Sequence, residues 1–156
     1  MDLQNTVKVT GHVVMIFHDI ERNTGRVREY DNLITDAGAQ AIARRLINEG
    51  TKTNEGLISY CALGTGAGTP AKTDTAMFTE LTRKAVTLGE RTLAVSTIST
   101  FFTTSEGNGT LTEIGLFGED ASATPASGTL FEHCSITETK TNAETLTIQV
   151  VITITN

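Results

Sequence analysis

The hydrophobic pattern of this chain alternates far more often than it cycles. Leu146, Ile148, Val150, Ile152 and Ile154 occupy every second position near the end, with Thr145, Thr147, Gln149, Thr153 and Thr155 among the residues between them. Side chains two apart on a strand share a face, so this stretch predicts a strand with one face in a core and the other in water. The alternation continues to the last residues, and the strand is therefore expected inside a sheet. Residues 6–17 carry β-branched side chains around Gly11 and predict another strand. Residues 20–25, IERNTG, have turn chemistry, with Asn23 and Gly25 tolerating a left-handed backbone, and residues 26–34 return as a second strand to make an N-terminal hairpin. One stretch follows the helical period. Thr35 is placed to cap it, Asp36 suits the positive end of its dipole, and Ala37, Ala41, Ile42, Leu46 and Ile47 fall on one face. This predicts a short α-helix over residues 35–48, ended by Gly50.

Residues 57–64, LISYCALG, predict a short apolar strand, and residues 64–76 a long Gly, Thr, Pro and Ala loop without hydrophobic period. Residues 77–84 suit one helical turn or extended chain equally. Strand-like alternation returns over residues 85–105, with a bend expected at Leu88-Gly89-Glu90. Asn108-Gly109 is a strong hairpin dipeptide, so the following TLTEIGLFG is expected to fold back antiparallel on the segment before it. Residues 119–128 read as a second small-residue loop, 129–136 as a strand and 139–144 as a turn. About eight strands joined by hairpins and long loops predict a mainly β chain, a β-sandwich or jelly-roll-like antiparallel fold with one helix. Residues 6–156 are expected to form it as a single domain, behind a flexible N-terminal arm of residues 1–5 that lacks periodicity.

Composition agrees with β structure: 29 of the 156 residues are threonine and only 5% are aromatic. The 12 basic and 18 acidic residues give a formal charge of −6 with no Lys/Arg run, a poor match for phosphate backbones, so nucleic acid is not an expected partner. The opening MDLQNTVKVTGHVVMIF has an acid at position 2 and an interrupted apolar run, unlike a signal peptide or a membrane span. Synthesis without secretion and no membrane partner are expected. Cys61 and Cys134 lie far apart in apolar strand-like runs and are expected to be free, buried thiols.

The residues offer little catalytic chemistry. GTGAGTPAKTDT follows a strand as a phosphate-binding loop does, but Ala71 stands where a Walker loop needs glycine before Lys72-Thr73, and Thr69 where a dinucleotide fingerprint needs glycine. His12, His18 and His133 lack a second metal ligand at short spacing, and His133 and Cys134, adjacent on a strand, point to opposite faces. Neither a GxSxG elbow nor a calcium loop occurs. Asn108-Gly109-Thr110 spells a glycosylation sequon, but without a secretion signal its turn reading prevails. No catalytic residue, metal or cofactor is expected. Glu113 stands apart, because on its strand it shares a face with Leu111, Gly115 and Phe117. A carboxylate on an apolar face needs a partner, and Arg83 is the candidate for a structural pair.

The order of segments is also informative: DNLITDAGAQAIA (31–43), YCALGTGAGTPAKTDTAMFTELTRK (60–84), GNGTLTEIGLFGE (107–119), GTLFEHCSI (128–136) and TKTNAETLTIQVVITI (139–154). It resembles a group of small structural proteins of tailed bacteriophages, found as head decoration (cement) proteins and as modules of tail fibres or baseplates. The most specific likenesses are Asn32-Leu33-Ile34 with Gly38, the loop from Ala62 to Gly66, Asp74-Thr75 with Glu80 and Arg83, and the run from Leu111 to Phe117. The resemblance implies a non-enzymatic virion protein made in the host cytoplasm. The chain has no heptads and no shaft, which favours a free-standing head protein over a fibre module. Such a protein would bind the major capsid protein on the outside of the head, often as a homotrimer. The alternative is a tail-fibre or baseplate component involved in host attachment. Partner contacts are expected at Met1, Asp2, Leu3, Gln4 and Asn5 of the arm, and at Thr65, Gly66, Ala67 and Gly68 of the glycine loop. Neither segment has enough apolar side chains to hold itself in place.

Overall fold

The computed structural model describes residues 6–156, and the expected arm of residues 1–5 lies outside them. β1 (Lys8–Asp19) and β2 (Thr24–Asp31) form the expected N-terminal hairpin, with Asn23 in the turn at φ 50°. The second strand was expected to continue to residue 34, but β3 (Leu33–Ile34) belongs to a different sheet. Asn32 stands at the crossing, and its side-chain amide donates to Glu132 on the far sheet. Helix α1 (Asp36–Ile47) starts as expected, with the Thr35 hydroxyl accepting the Gly38 N–H at 2.9 Å. It ends before Gly50, because Asn48 takes the left-handed conformation at φ 49° and returns its N–H to the Arg44 and Arg45 carbonyls. The apolar face is only half used. Ala41 and Ile42 join the core and Gly38 lies against the Phe131 carbonyl, but Leu46 and Ile47 are 82% and 74% exposed. The helix seats its first turns on the sheet and leaves its last turn beyond it.

Seven strands follow: β4 (Ile58–Gly64), β5 (Glu80–Ala85), β6 (Leu88–Thr92), β7 (Val95–Phe102), β8 (Gly109–Gly118), β9 (Thr129–Lys140) and β10 (Glu144–Thr155). The stretch over 77–84 resolves as extended chain leading into β5. The bend expected at Leu88-Gly89-Glu90 is corrected, since these residues run straight through β6 and the chain reverses at Leu93-Ala94 with Leu93 at φ 53°. The hairpin expected around Asn108-Gly109 is also corrected. β7 and β8 lie in different sheets, and β8 pairs with β4 and β9. A turn dipeptide specifies a local reversal, not the strand that the returning chain meets.

The result is a mainly β fold of two five-stranded antiparallel sheets with one short helix. The first sheet runs β2-β1-β10-β7-β6 and the second β3-β9-β8-β4-β5. β10 is central, and its Leu146, Ile148, Val150 and Ile152 face inward as the alternation predicts. They join Val13, Met15, Phe17 and Phe102 of the first sheet, and Cys61, Leu63, Ile114, Leu116, Cys134 and Ile136 of the second, in one core cluster. Both cysteines are free and buried, and burial pushes their thiols up to about 12. A carboxylate also intrudes. Glu132 of β9 is 2% exposed; it accepts from the Asn32 amide, while its Oε1 and the Asn32 Oδ1 have no hydrogen-bond partner among the described residues. Burial raises the Glu132 carboxyl to about 8. No helix among the described residues is long and apolar enough to cross a membrane.

Candidate functional site

The glycine loop and Glu113 meet on the face of the second sheet that turns away from the core. Register puts Glu113 opposite Gly64 of β4 and Gly115 opposite His133 of β9, so Glu113 and His133 share that face. A register shift between Leu111 and Glu113 separates two residues expected side by side: Leu111 enters the core, and Glu113 turns outward under the loop. There Glu113 is 1% exposed and accepts the N–H groups of Gly66 at 3.0 Å, Phe78 at 2.9 Å and Thr79 at 2.7 Å. The Nε2 of His133 lies 2.9 Å from its other flank, and the Nδ1 lies 2.7 Å from Asp74. The Phe78 ring closes over His133 with centroids 4.8 Å apart. Gly66 permits this approach, because a Cβ there would stand 2.5 Å from the Glu113 Oε1.

The expected pair of Arg83 with Glu113 is therefore corrected. Arg83 bonds Glu80 through two nitrogens, one at 2.7 Å, and donates to the Ser127 and Ser122 carbonyls at 3.0 and 3.2 Å. Its guanidinium lies 4.2 Å over the Phe117 ring. The register of β5 on β4 slips between Leu63 and Gly64, so that Thr82 and Glu80 meet consecutive residues of β4. The slip brings Glu80 to Arg83, and the oxygens of Glu113 are already taken by three backbone amides and His133. A double-mutant cycle is expected to show clear coupling between Arg83 and Glu80, whose side chains are 1% and 8% exposed, and little between Arg83 and Glu113.

Other carboxylates hold loops in the same way. Glu119, 1% exposed, accepts from Arg44 of α1 at 2.6 Å, from the Thr129 hydroxyl at 2.8 Å and from the Gly56 N–H at 3.2 Å. Glu80 accepts the Ala126 N–H at 3.0 Å, and Glu106 accepts the Thr103 N–H and the Lys84 ammonium. Within the chain itself, buried acceptors thus fasten the glycine loop and residues 119–128, where apolar side chains are few. Burial pushes the Glu113 carboxyl up, yet the Thr79 N–H, His133 and the Phe78 and Gly66 N–H groups outweigh it and hold the group below its usual range. Burial likewise opposes, and hydrogen bonds overcome, a lowered carboxyl at Asp74, Glu80 and Glu119. Glu113→Gln is expected to leave donors unpaired, to cost about 1–3 kcal/mol, and to speed hydrogen exchange first at Gly66, Phe78 and Thr79.

Of the expected partner-contact residues, Met1, Asp2, Leu3, Gln4 and Asn5 lie outside the described residues. Thr65, Ala67 and Gly68 are exposed, whereas Gly66 is buried over Glu113. No signal in the residue order marks the union of Asp74, His133 and Glu113, since it depends on strand register and a loop fold. Among the described residues no group of three or more His, Cys, Asp or Glu side chains is placed to hold a metal ion.

The two outward faces differ. That of the second sheet carries Phe117, Met77, Leu130 and Ala62 as a small buried cluster beneath its loops. Among the described residues the outward face of the first sheet has no such cover and shows a row of registered neighbours, Val27, Ile16, Thr147 and Phe101, with Val27 51% and Phe101 39% exposed. Leu88 of β6 adds to that face at 50% exposure. No family model, curated protein or solved structure matches this chain.

Proposed function

We propose that this protein is a non-enzymatic structural component of a tailed-bacteriophage virion, a head decoration (cement) protein that binds the outer surface of the major capsid protein and stabilises the shell. The observation that carries this reading is the contrast between the two outward faces. One is closed by loops pinned on buried carboxylates; the other shows Val27, Ile16 and Phe101 in a row with Thr147, uncovered among the described residues and suited to packing on a broad protein surface. The segment order of the tailed-phage group supports the class, and the −6 charge speaks against a nucleic-acid partner. The finer fold belongs to the same proposal. A single core cluster drawn from both sheets supports a β-sandwich, and the hairpins β1-β2, β6-β7 and β8-β9 that stay within one sheet lend less to its jelly-roll variant, where successive strands mostly change sheets.

A decoration protein works by repetition: copies that associate, a trimer in this reading, gain several attachment points each, so weak identical contacts reinforce a lattice. The test is to locate the chain on purified particles by electron microscopy. Coverage of the head surface is expected. A few copies at the tail tip would replace this reading with that of a tail-fibre or baseplate component.

A further inference from the structure

His133 sets a problem of proton counting. Its side chain is 0% exposed, and each ring nitrogen faces a carboxylate oxygen, Nδ1 at 2.7 Å from Asp74 and Nε2 at 2.9 Å from Glu113. A neutral imidazole carries one N–H, so one of these contacts would set a ring lone pair against a carboxylate lone pair, away from water. A proton on either carboxyl would relieve the clash, but both carboxyls already act as acceptors. Glu113 takes the N–H groups of Gly66, Phe78 and Thr79, and the Asp74 oxygen that faces the ring takes the Ala71 N–H at 2.9 Å. Although burial opposes it, hydrogen bonds hold both carboxyls below their usual range. Both are therefore ionised in neutral solution, and the proton count closes only with a hydrogen on each ring nitrogen.

We propose that His133 is an imidazolium that latches the glycine loop onto the second sheet, and that loss of its second proton frees the loop at its Asp74 end alone. The inference goes beyond the virion reading and does not depend on it. The direction of release follows from burial. Glu113 is 1% exposed and fixed by three backbone donors, so the proton that a neutral ring retains is the one on Nε2. The Asp74 side chain is 17% exposed and belongs to the loop itself, so once a ring lone pair faces it, it turns to water. The bonds gathered around it go with it: the Ala71 N–H to the Asp74 carboxylate, and the Asp74 N–H to the Ala71 carbonyl at 3.0 Å. Gly66, Phe78 and Thr79 stay on Glu113. The other neighbours of the ring leave this balance alone. Gly115 of β8, Leu33 of β3 and Ala62 and Gly64 of β4 carry no charge. Glu80 of β5, which feels the Glu113 charge, is matched by Arg83, and Asp36 of α1 and Lys72 of the loop are exposed.

The experiment follows the isotope-labelled ring nitrogens of the full chain by NMR as pH is raised from 5 until the chain unfolds, with amide exchange read at each step and corrected for the intrinsic effect of pH. At the start His133 is expected to show two protonated ring nitrogens. On titration Nδ1 is expected to lose its proton and Nε2 to keep its own, while the Ala71 and Asp74 amides lose protection and those of Gly66, Phe78 and Thr79 retain it. Asp74→Asn, which leaves an oxygen for Nδ1 to meet but removes the charge, is expected to move the proton loss to lower pH. A single protonated nitrogen at pH 5, a second proton kept until unfolding, loss from Nε2, loosening of Gly66 together with Ala71, or an unmoved titration in Asp74→Asn overturns the inference. The native chain alone gives the answer where Asp74→Asn does not fold. A chain that titrates in this way but never binds heads removes the head reading and leaves the latch standing; one that decorates heads with a neutral His133 ring does the reverse.

Discussion

Deleting residues 146–156 is expected to abolish cooperative folding, read as the loss of any sharp thermal or denaturant transition. β10 sits in the middle of its sheet, between β1 and β7, so its removal strips hydrogen-bond partners from both. It also takes Leu146, Ile148, Val150 and Ile152 out of the core. Each fully buried side chain of this kind is worth roughly 1.5–3 kcal/mol, against a typical total stability of about 5–15 kcal/mol. A truncated chain with an unchanged cooperative melt would overturn the central place of this strand.

Stability is expected to peak in mildly acidic solution, and Glu132→Gln is expected to remove the decline above it. The Glu132 carboxyl is raised by burial from 4.5 to about 8. Between those values the folded protein keeps a proton that the unfolded chain has released, so stability falls as pH rises across this interval and levels off above it. A shift of that size corresponds to roughly 3–5 kcal/mol. The loop-holding carboxylates act with the opposite sign. Glu113, Glu119, Glu80 and Asp74 are lowered in the fold, so their contribution is present above the unfolded carboxylate range and is lost as pH falls through their folded values. The two trends together place the maximum just above the unfolded carboxylate range. Denaturant titrations at pH 5 and pH 8 should find the native chain weaker at pH 8 and Glu132→Gln equal at both; equal stability of the native chain at the two pH values would refute the buried acid.

What the residue order revealed of this fold depends on how local the determining physics is. The inward series of β10, the Asn23 turn and the Thr35 cap each rest on a few neighbouring residues, and each was legible. Pairing between distant strands was not. Asn108-Gly109 pointed to a hairpin, but the chain turns earlier, at Thr103–Glu106, Gly109 already opens β8, and β8 leaves β7 for β4 and β9. The helical wheel placed Leu46 and Ile47 with Ala41, yet it has no term for where the sheet beneath the helix ends. For the site, Glu113 announced its need for a partner, and its apolar strand neighbours were the signal. Its partner was misread because a one-residue register slip decides whether Arg83 meets Glu80 or Glu113, and such a slip leaves no trace in spacing. His133 was judged only by the ligands near it in sequence, and Asp74 reaches it through the folded loop.

The depth of the two cysteines has a practical use. Cys61 and Cys134 are 0% and 2% exposed, and a thiol held near 12 offers almost no thiolate at neutral pH. Among the described residues there is thus no native sulfur for a maleimide to reach, and Ala67→Cys, on the exposed crest of the glycine loop, would furnish one addressable point. A gold cluster or fluorophore attached there would report position and orientation on an assembled particle without first having to erase the protein's own thiols.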